Sequence, residues 1–356
     1  MNFDLTEERQ MLQDTLRRYL ADKYTTQVRN DILDSEAGFS AEIWNELAEL
    51  GIIGAFFADE HGGFGGTGFD VAVVFEELGR AGVVEPLMEA LVAGHVLAEA
   101  GHSLIEDVIG GGVHLAIAHG EPTSRYDTDA VETQFADGKL SGRKAVVINA
   151  EAADHFVVSA RDGETTSLYL VAGDAAGVTV QGYPLLAGGR AGEVTFENTP
   201  CEALDVAADT LDRAFGFGIV AQCAETLGAM ETATALTGEY LMTRQQFGRP
   251  IGTFQALQHR MADVLIELEQ ARSAVINAAG NLENDARTRD MALSAGKNLL
   301  GRAGRLVAEE AVQLHGGIAM TQEYELAHIA KRIVMADHRF GDTDFHLERF
   351  IELSTA

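Results

Sequence analysis

Two stretches carry residue types that could hold a phosphate. The first runs Tyr240-Leu-Met-Thr-Arg244-Gln-Gln-Phe247-Gly248-Arg-Pro250-Ile251-Gly-Thr253-Phe254-Gln255. Gly248 takes a left-handed cap readily and Pro250 cannot continue a helix, so the spacing predicts a helix ending near Phe247. Thr253 is expected to cap the next helix through its hydroxyl. The corner presents a fixed cation, Arg244, beside an aromatic, Phe247, and an arginine so placed suits a phosphate group. The second stretch is Gln313-Leu-His315-Gly316-Gly317. Adjacent glycines let backbone N–H groups approach phosphate oxygens with no side chain in the way. Taken singly, each has a plainer meaning: a helix connection with a solvated arginine, and a helix C-terminus with two glycines. His315 is expected to be a satisfied polar residue with no acid–base role.

Composition limits the classes of partner. The chain has 356 residues, enough for two or three domains, and 46% of them are hydrophobic. A formal charge of −29 argues against nucleic acid and against anionic membrane surfaces. Two cysteines, Cys201 and Cys223, support neither a disulfide framework nor a cysteine-rich metal site, and no metal site is expected. The acidic start MNFDLTEERQ lacks an apolar core, and no apolar run reaches membrane-spanning length. A soluble cytoplasmic location is the expectation.

These motifs must be positioned by elements of three kinds. Residues 1–110 read as helical: Asp4 with Glu7 forms a capping-box pattern, and Met11, Leu12, Leu16, Tyr19 and Leu20 recur on one face. Another helix starts near Ser40. The apolar run Ile52–Phe57 leads into a glycine-rich turn from His61 to Gly68, after which helix resumes through Val71, Val74, Phe75 and Leu78. Residues 111–205 switch to period two, with candidate strands at 113–118, 131–135, 139–148, 155–160, 167–171, 178–181 and 194–196. Their spacing predicts a small β-barrel or sandwich. Residues 206–356 are helical again, over about 208–245, 253–283, 285–313, 322–338 and 343–353, and a four-helix bundle is the economical arrangement.

The string R-x-x-F-G-x-P-I-x-x-F-Q-x-x-x-x-x-x-A-D, carried by Arg244 to Asp263, resembles the acyl-CoA dehydrogenase family. So do W-x-x-L-A-E-L-G-I-I-G, E-H-G-G-F-G-G, the helix Glu76–Ala81 and the segment from Gln313 to Gly317. The order of helical domain, β-domain and helical bundle is also that of the family, so the resemblance spans the chain. It implies FAD as cofactor, with Arg244 and Phe247 on the FAD of a neighbouring subunit, Gln313, Gly316 and Gly317 near its diphosphate and adenosine, and Gln255 and Thr343 as further cofactor contacts. It also implies an acyl-CoA substrate and electron-transfer flavoprotein or a similar acceptor.

Three departures qualify the resemblance. The family's T-E-P-x-A-G-S-D string reads Ala118-His119-Gly120-Glu121-Pro122-Thr123-Ser124, keeping only Glu121 and Pro122. Its K-x-W/F-I-T-N strand reads Lys144-Ala-Val146-Val147-Ile148-Asn149, with aliphatics where an aromatic and a threonine face the flavin. The carboxylate that removes the substrate α-proton is also displaced. One family position is Gln245, which cannot serve as a base. The other falls on Gly341 in one register and on Asp342 in the next. Asp342 is therefore the candidate catalytic base, although an aspartate beside a glycine turn also caps a helix. The tail G-D-T-D-F-H-L-E-R and the shortened β-domain motif resemble the small subunits of two-gene acyl-CoA dehydrogenases, in which related chains form α2β2 tetramers. A homologous subunit, or a second copy of this chain, is the expected partner. The expected function is α,β-dehydrogenation of an acyl-CoA thioester, with this chain as a partner subunit whose own site is degenerate. The alternatives are a flavin-dependent monooxygenase on the same fold and a non-catalytic scaffold.

Overall fold

The computed structural model describes residues 5–355. Six helices come first: α1 (Glu7–Lys23), α2 (Thr26–Leu33), α3 (Ala41–Glu49), α4 (Gly68–Ala81), α5 (Leu87–Glu99) and α6 (Leu104–Ile109). Asp4 of the expected capping box lies outside the described residues. The cap of α1 is Thr6, whose hydroxyl accepts from the Arg9 N–H. Ser40 caps α3 as expected, accepting from the Ile43 N–H. The apolar run after α3 is a buried turn, and helix α2 was not distinguished in the sequence.

Eight strands follow: β1 (Leu115–Ala118), β2 (Gln134–Ala136), β3 (Lys139–Ile148), β4 (His155–Asp162), β5 (Thr165–Ala172), β6 (Val178–Pro184), β7 (Arg190–Pro200) and β8 (Glu202–Ala203). They form one mixed sheet in the order β6-β7-β3-β2-β4-β5-β8, with β1 added parallel to β4. Among the described residues the end strands β6 and β8 do not pair, so of the expected small β-barrel or sandwich the sheet forms no closed barrel. Period-two patterning decides which faces are buried; it does not decide which edges meet. The link across the middle is slight, since β2 joins β4 through the single pair Gln134↔Arg161. Phe156 and Phe196 meet edge to face at 6.2 Å in the core of this sheet, among Leu140, Val158 and Tyr169.

The remaining elements are α7 (Thr210–Thr243), the short strands β9 (Gln245–Gln246) and β10 (Arg249–Pro250), α8 (Gln255–Asn281), α9 (Ala286–His315), α10 (Glu325–Ala336) and α11 (Thr343–Thr355). Helix α9 packs against α8, α10 and α11. No described helix is long and apolar enough to cross a membrane.

By packing, the described chain forms two compact units. One comprises the segment ending at Arg29, Gly68–Val83 and the chain from Ile219 onward; the other comprises Asn30–Thr67 and Val84–Gly218. In the first unit α4 and α7 cross at two glycines. A Cβ on Gly79 would lie 1.9 Å from the Glu225 carbonyl oxygen, and one on Gly228 would lie 1.9 Å from that of Glu76. Any side chain at either position would force the helices apart. Carboxylates Glu76 and Glu231 flank the crossing and pair with Arg80 and Arg272.

His346, near the start of α11, is buried and neutral. Its Nε2–H donates to the Phe340 carbonyl at 2.8 Å, and its Nδ1 faces the Ser294 hydroxyl at 3.3 Å. Burial lowers its pKa to about 4, with Lys297 adding to the shift. The unfolded chain therefore binds a proton that the folded chain refuses between about pH 6.5 and pH 4, and stability falls as pH falls through that window. His346→Gln should flatten the stability–pH slope there by about 1.4 kcal/mol per pH unit. Urea melts at pH 6.5, 5.5 and 4.5 measure this; an unchanged slope would show that His346 titrates normally.

Candidate cofactor site

Helix α7 ends at Thr243 and not near Phe247. The chain instead turns back as a hairpin, pairing Gln246 with Arg249 and Gln245 with Pro250. Phe247 and Gly248 form its two-residue tip with φ of 54° and 77°, the left-handed pair that a tight hairpin requires. The Arg244 carbonyl accepts from the Ile251 N–H at 2.9 Å and closes the loop. The hydroxyl of Thr253 donates to the Pro250 carbonyl at 2.7 Å, so it secures the hairpin and does not cap α8. Phe254 stands at the base, with the Arg249 guanidinium 4.3 Å from its ring centre and Phe247 edge-on at 6.1 Å. Phe247 is 91% exposed, and the exposed Arg244 guanidinium has no ion-pair partner among the described residues.

The end of α9 comes to the same region. His315 is buried, with Nδ1 2.8 Å from the Ala311 carbonyl and Nε2 3.1 Å from the Tyr324 hydroxyl. It is the satisfied polar residue that the sequence implied. Its ring stacks on Tyr240 at 4.5 Å, and the Tyr240 carbonyl accepts from the Arg244 N–H at 2.8 Å. This stack joins the last turn of α7 to the last turn of α9. Tyr240 thus brings the two phosphate-type motifs together, and Tyr324 holds His315 in place for the stack. Tyr240 stood at the start of the first string and Tyr324 seven residues beyond the second, but nothing in their spacing indicated a role. Gly316 lies at φ 70° and ψ −148°, a conformation essentially restricted to glycine. No atom lies within 4 Å of a Cβ built on Gly316 or Gly317. Arg244, Phe247, Gln255, Gln313, Gly316 and Gly317 are all exposed. The fold does not need these glycines for space, so the open backbone is available to a group from outside the chain.

Asp342 and Thr343 lie elsewhere. Thr343 packs beside Gly301, fourteen residues before His315 on α9 and so roughly 20 Å away along a helix rising 1.5 Å per residue. Asp342 caps α11: its Oδ1 accepts from the Phe345 N–H at 2.9 Å. The Thr343 hydroxyl donates to Asp337 at 2.9 Å, and its carbonyl accepts from Asn298 at 2.9 Å. Gly341 has φ of 102°, and a Cβ there would meet Phe345 at 2.5 Å and His346 at 2.6 Å. The loop is held from beneath by Lys297, whose buried ammonium donates to the carbonyls of Ala336, Asp337 and Gly341 at 2.9–3.1 Å. Gln245 sits exposed on the hairpin and is not near this loop in sequence or element.

In the second unit the surviving Glu121 is structural. Its carboxylate meets the Lys144 ammonium at 2.7 Å and accepts from the backbone N–H groups of Glu132 and Thr133 and from the Thr133 hydroxyl. Burial pushes the Glu121 pKa up, but the bonds from Lys144 and Thr133 outweigh it and leave the carboxyl below its ordinary value. Burial lowers Lys144 to about 8. Val146 sits at a bulge in β3, 58% exposed, with φ of 54°. A β-branched residue there is an outlier, of the kind that clusters at ligand sites.

The chain matches models of the acyl-CoA dehydrogenase N-terminal domain over residues 6–103 and of the C-terminal domain over residues 209–352. It is 32% identical over 332 residues to acyl-CoA dehydrogenase IpdE2 of Mycobacterium tuberculosis, covering 92% of this chain and 91% of that one. The chain belongs to the acyl-CoA dehydrogenase family. Among solved structures, the Tcur3481-Tcur3483 steroid ACAD G363A variant superposes with a TM-score of 0.91 at 31% identity, covering 98% of both chains. The ChsE4-ChsE5 complex from Mycobacterium tuberculosis has a TM-score of 0.91 at 23% identity, covering 100% of this chain and 99% of that one, and shares the fold.

Two substitutions test this geometry in the acyl-CoA dehydrogenase family chain. Arg244→Ala should weaken FAD binding in the assembled oligomer by about 10- to 150-fold, the worth of one charge-assisted hydrogen bond. Equilibrium titration followed by flavin absorbance reads this, and an unchanged affinity would detach Arg244 from the cofactor. Gly341→Ala should lower stability by roughly 1–3 kcal/mol from overpacking alone, with backbone strain in addition. Denaturant midpoints measure it; a neutral result would mean that the loop can accommodate a side chain.

Proposed function

We propose that this chain is the partner subunit of a hetero-oligomeric acyl-CoA dehydrogenase, with a degenerate active site of its own. It completes the FAD site of a homologous subunit, and that assembly carries out the α,β-dehydrogenation of an acyl-CoA thioester. The observation that carries this reading is the loop at Gly341 and Asp342. The first position has no room for a carboxylate, and the carboxylate at the second caps α11. Gln245 cannot take a proton at the remaining position.

The retained features serve a neighbour. Arg244 supplies positive charge and Phe247 an apolar face, while the open backbone at Gly316 and Gly317 supplies N–H groups to phosphate oxygens. Gln255 and Gln313 border the same exposed region. FAD, when bound, supplies the hydride acceptor for the substrate β-carbon. On the chain's own side, Thr343 is engaged with Asp337, and Val146 and Ile148 give a flavin ring neither a hydroxyl donor nor an aromatic face. Leu265, Ile266, Leu347 and Ile351 expose apolar surface on α8 and α11, which supports assembly through these helices. The similar steroid ACAD carries the paired designation Tcur3481-Tcur3483. Electron-transfer flavoprotein or a similar protein completes the proposal as electron acceptor, in the cytoplasm.

Asp342→Asn separates this reading from one in which Asp342 is the base. In the reconstituted hetero-oligomer, the partner reading expects turnover and FAD content within about twofold of wild type. A base role expects turnover to fall by about 10²–10⁴-fold at constant FAD content. Gln245→Glu should not make the isolated chain an active dehydrogenase. Robust activity of the chain alone, abolished by Asp342→Asn, would overturn the proposal.

A further inference from the structure

A concavity lies in the first unit, between α1, α2, α4 and α10. It is a cavity of about 390 Å³ whose walls include Leu20, Tyr24 and Ile329. Three arginines line it, and two are neutralised within the protein. Arg17 grips both carboxylate oxygens of Glu77, at 2.6 and 2.9 Å. Arg80 pairs with Glu76 at 2.9 Å, with Glu77 at 3.3 Å, and with Glu231.

Arg29 is different. It is only 6% exposed, and its Nε donates to the Gly82 carbonyl at 3.1 Å. Its Nη1 is buried and has no hydrogen-bond partner. No described carboxylate forms an ion pair with it. Glu325, on the first turn of α10, acts on it only through space, and Arg332 opposes it; Arg332 is itself paired with Glu225. His328 also lines the cavity, but one ring nitrogen is engaged by the Gln322 carbonyl at 2.8 Å. Burial lowers the Arg29 pKa to about 10, so the guanidinium remains charged at neutral pH. A buried charge without a counter-charge is strongly unfavourable, and a buried N–H donor without an acceptor adds to the cost.

We propose that this cavity binds a small organic oxyanion, a carboxylate or a phosphate ester, whose oxygens accept from Nη1 of Arg29. The volume lies within the range of small-molecule sites and exceeds what an oxyanion alone fills. Leu20 and Ile329 would face the apolar part of the ligand. The planar guanidinium, already oriented through the Gly82 carbonyl, presents its remaining donors as a fork suited to either head group.

The test is calorimetric titration of the full chain, in the assembly in which it is isolated, with inorganic phosphate and separately with butyrate. Hydrogen exchange with and without each probe then locates the site. Saturable binding of at least one probe at millimolar concentration is expected, with slowed exchange in residues 20–29 and 325–329. Binding of phosphate alone assigns a phosphate ester, and binding of butyrate alone assigns a carboxylate. Arg29→Met should weaken binding by about tenfold or more, the worth of a charge-assisted hydrogen bond, and Arg29→Lys should retain part of it. If the methionine variant does not fold, the wild-type exchange map decides. Absence of binding by either probe, binding undiminished in Arg29→Met, or protection confined to other segments would overturn the proposal.

Discussion

The Lys297 ammonium is the constraint on which the loop between α10 and α11 depends. It is 1% exposed, and its three protons meet three backbone carbonyls at the end of α10 and the start of α11. A buried cation whose three hydrogen bonds all go to carbonyls, with the Asp337 carboxylate 3.9 Å away, fixes their positions closely, because moving any one of them leaves a donor unpaired. The loop is therefore pinned with Gly341 in a left-handed conformation against Phe345 and His346. The same pinning places Asp342 where its carboxylate meets the Phe345 N–H. The bare glycine at 341 and the well-capped start of α11 are two results of one arrangement. Asn298 and Asp337 reinforce it through Thr343.

The other end of α9 is built on the opposite principle. There, aromatic stacking of Tyr240 on His315 holds two helix ends together, and the residues beyond each end are left exposed. The hairpin tip at Phe247 and the turn at Gly316 both hold positive φ, and both stand exposed. One long helix thus separates a closed, internally satisfied end from an open one, and that polarity is what supports a partner role.

The second unit shows how far a surviving motif residue can mislead. Glu121 keeps its place in the family pattern, yet it serves Lys144, Thr133 and the backbone of Glu132 inside the fold. The network closes with Lys144 donating to the His119 carbonyl and to the Ser159 hydroxyl. Conversely, Val146 is an aliphatic replacement in the family strand, and it occupies the strained, exposed point of the bulge.

Much of the architecture was legible from the residues. The strand Lys139–Ile148 and the helices of the C-terminal segment fall where alternation and helical periodicity place them, because burial of one face is a local pattern. The two glycine-bearing motifs were recognisable for the same reason: glycine, proline and arginine at fixed spacing impose local backbone and charge wherever they stand. The closure of the sheet was not legible, since strand periodicity says nothing about which edges meet. Neither was the hairpin after Thr243, where cross-strand pairing overrode an expected helix and turned Thr253 from a cap into a brace. The cap that Asp342 makes depended on Lys297, forty-five residues earlier in the chain. The unpaired charge of Arg29 depended on where Gly82 and α10 came to rest. Residue types determined what chemistry was available; only tertiary packing, by deciding which donors and acceptors were already satisfied, determined which of it was left to use.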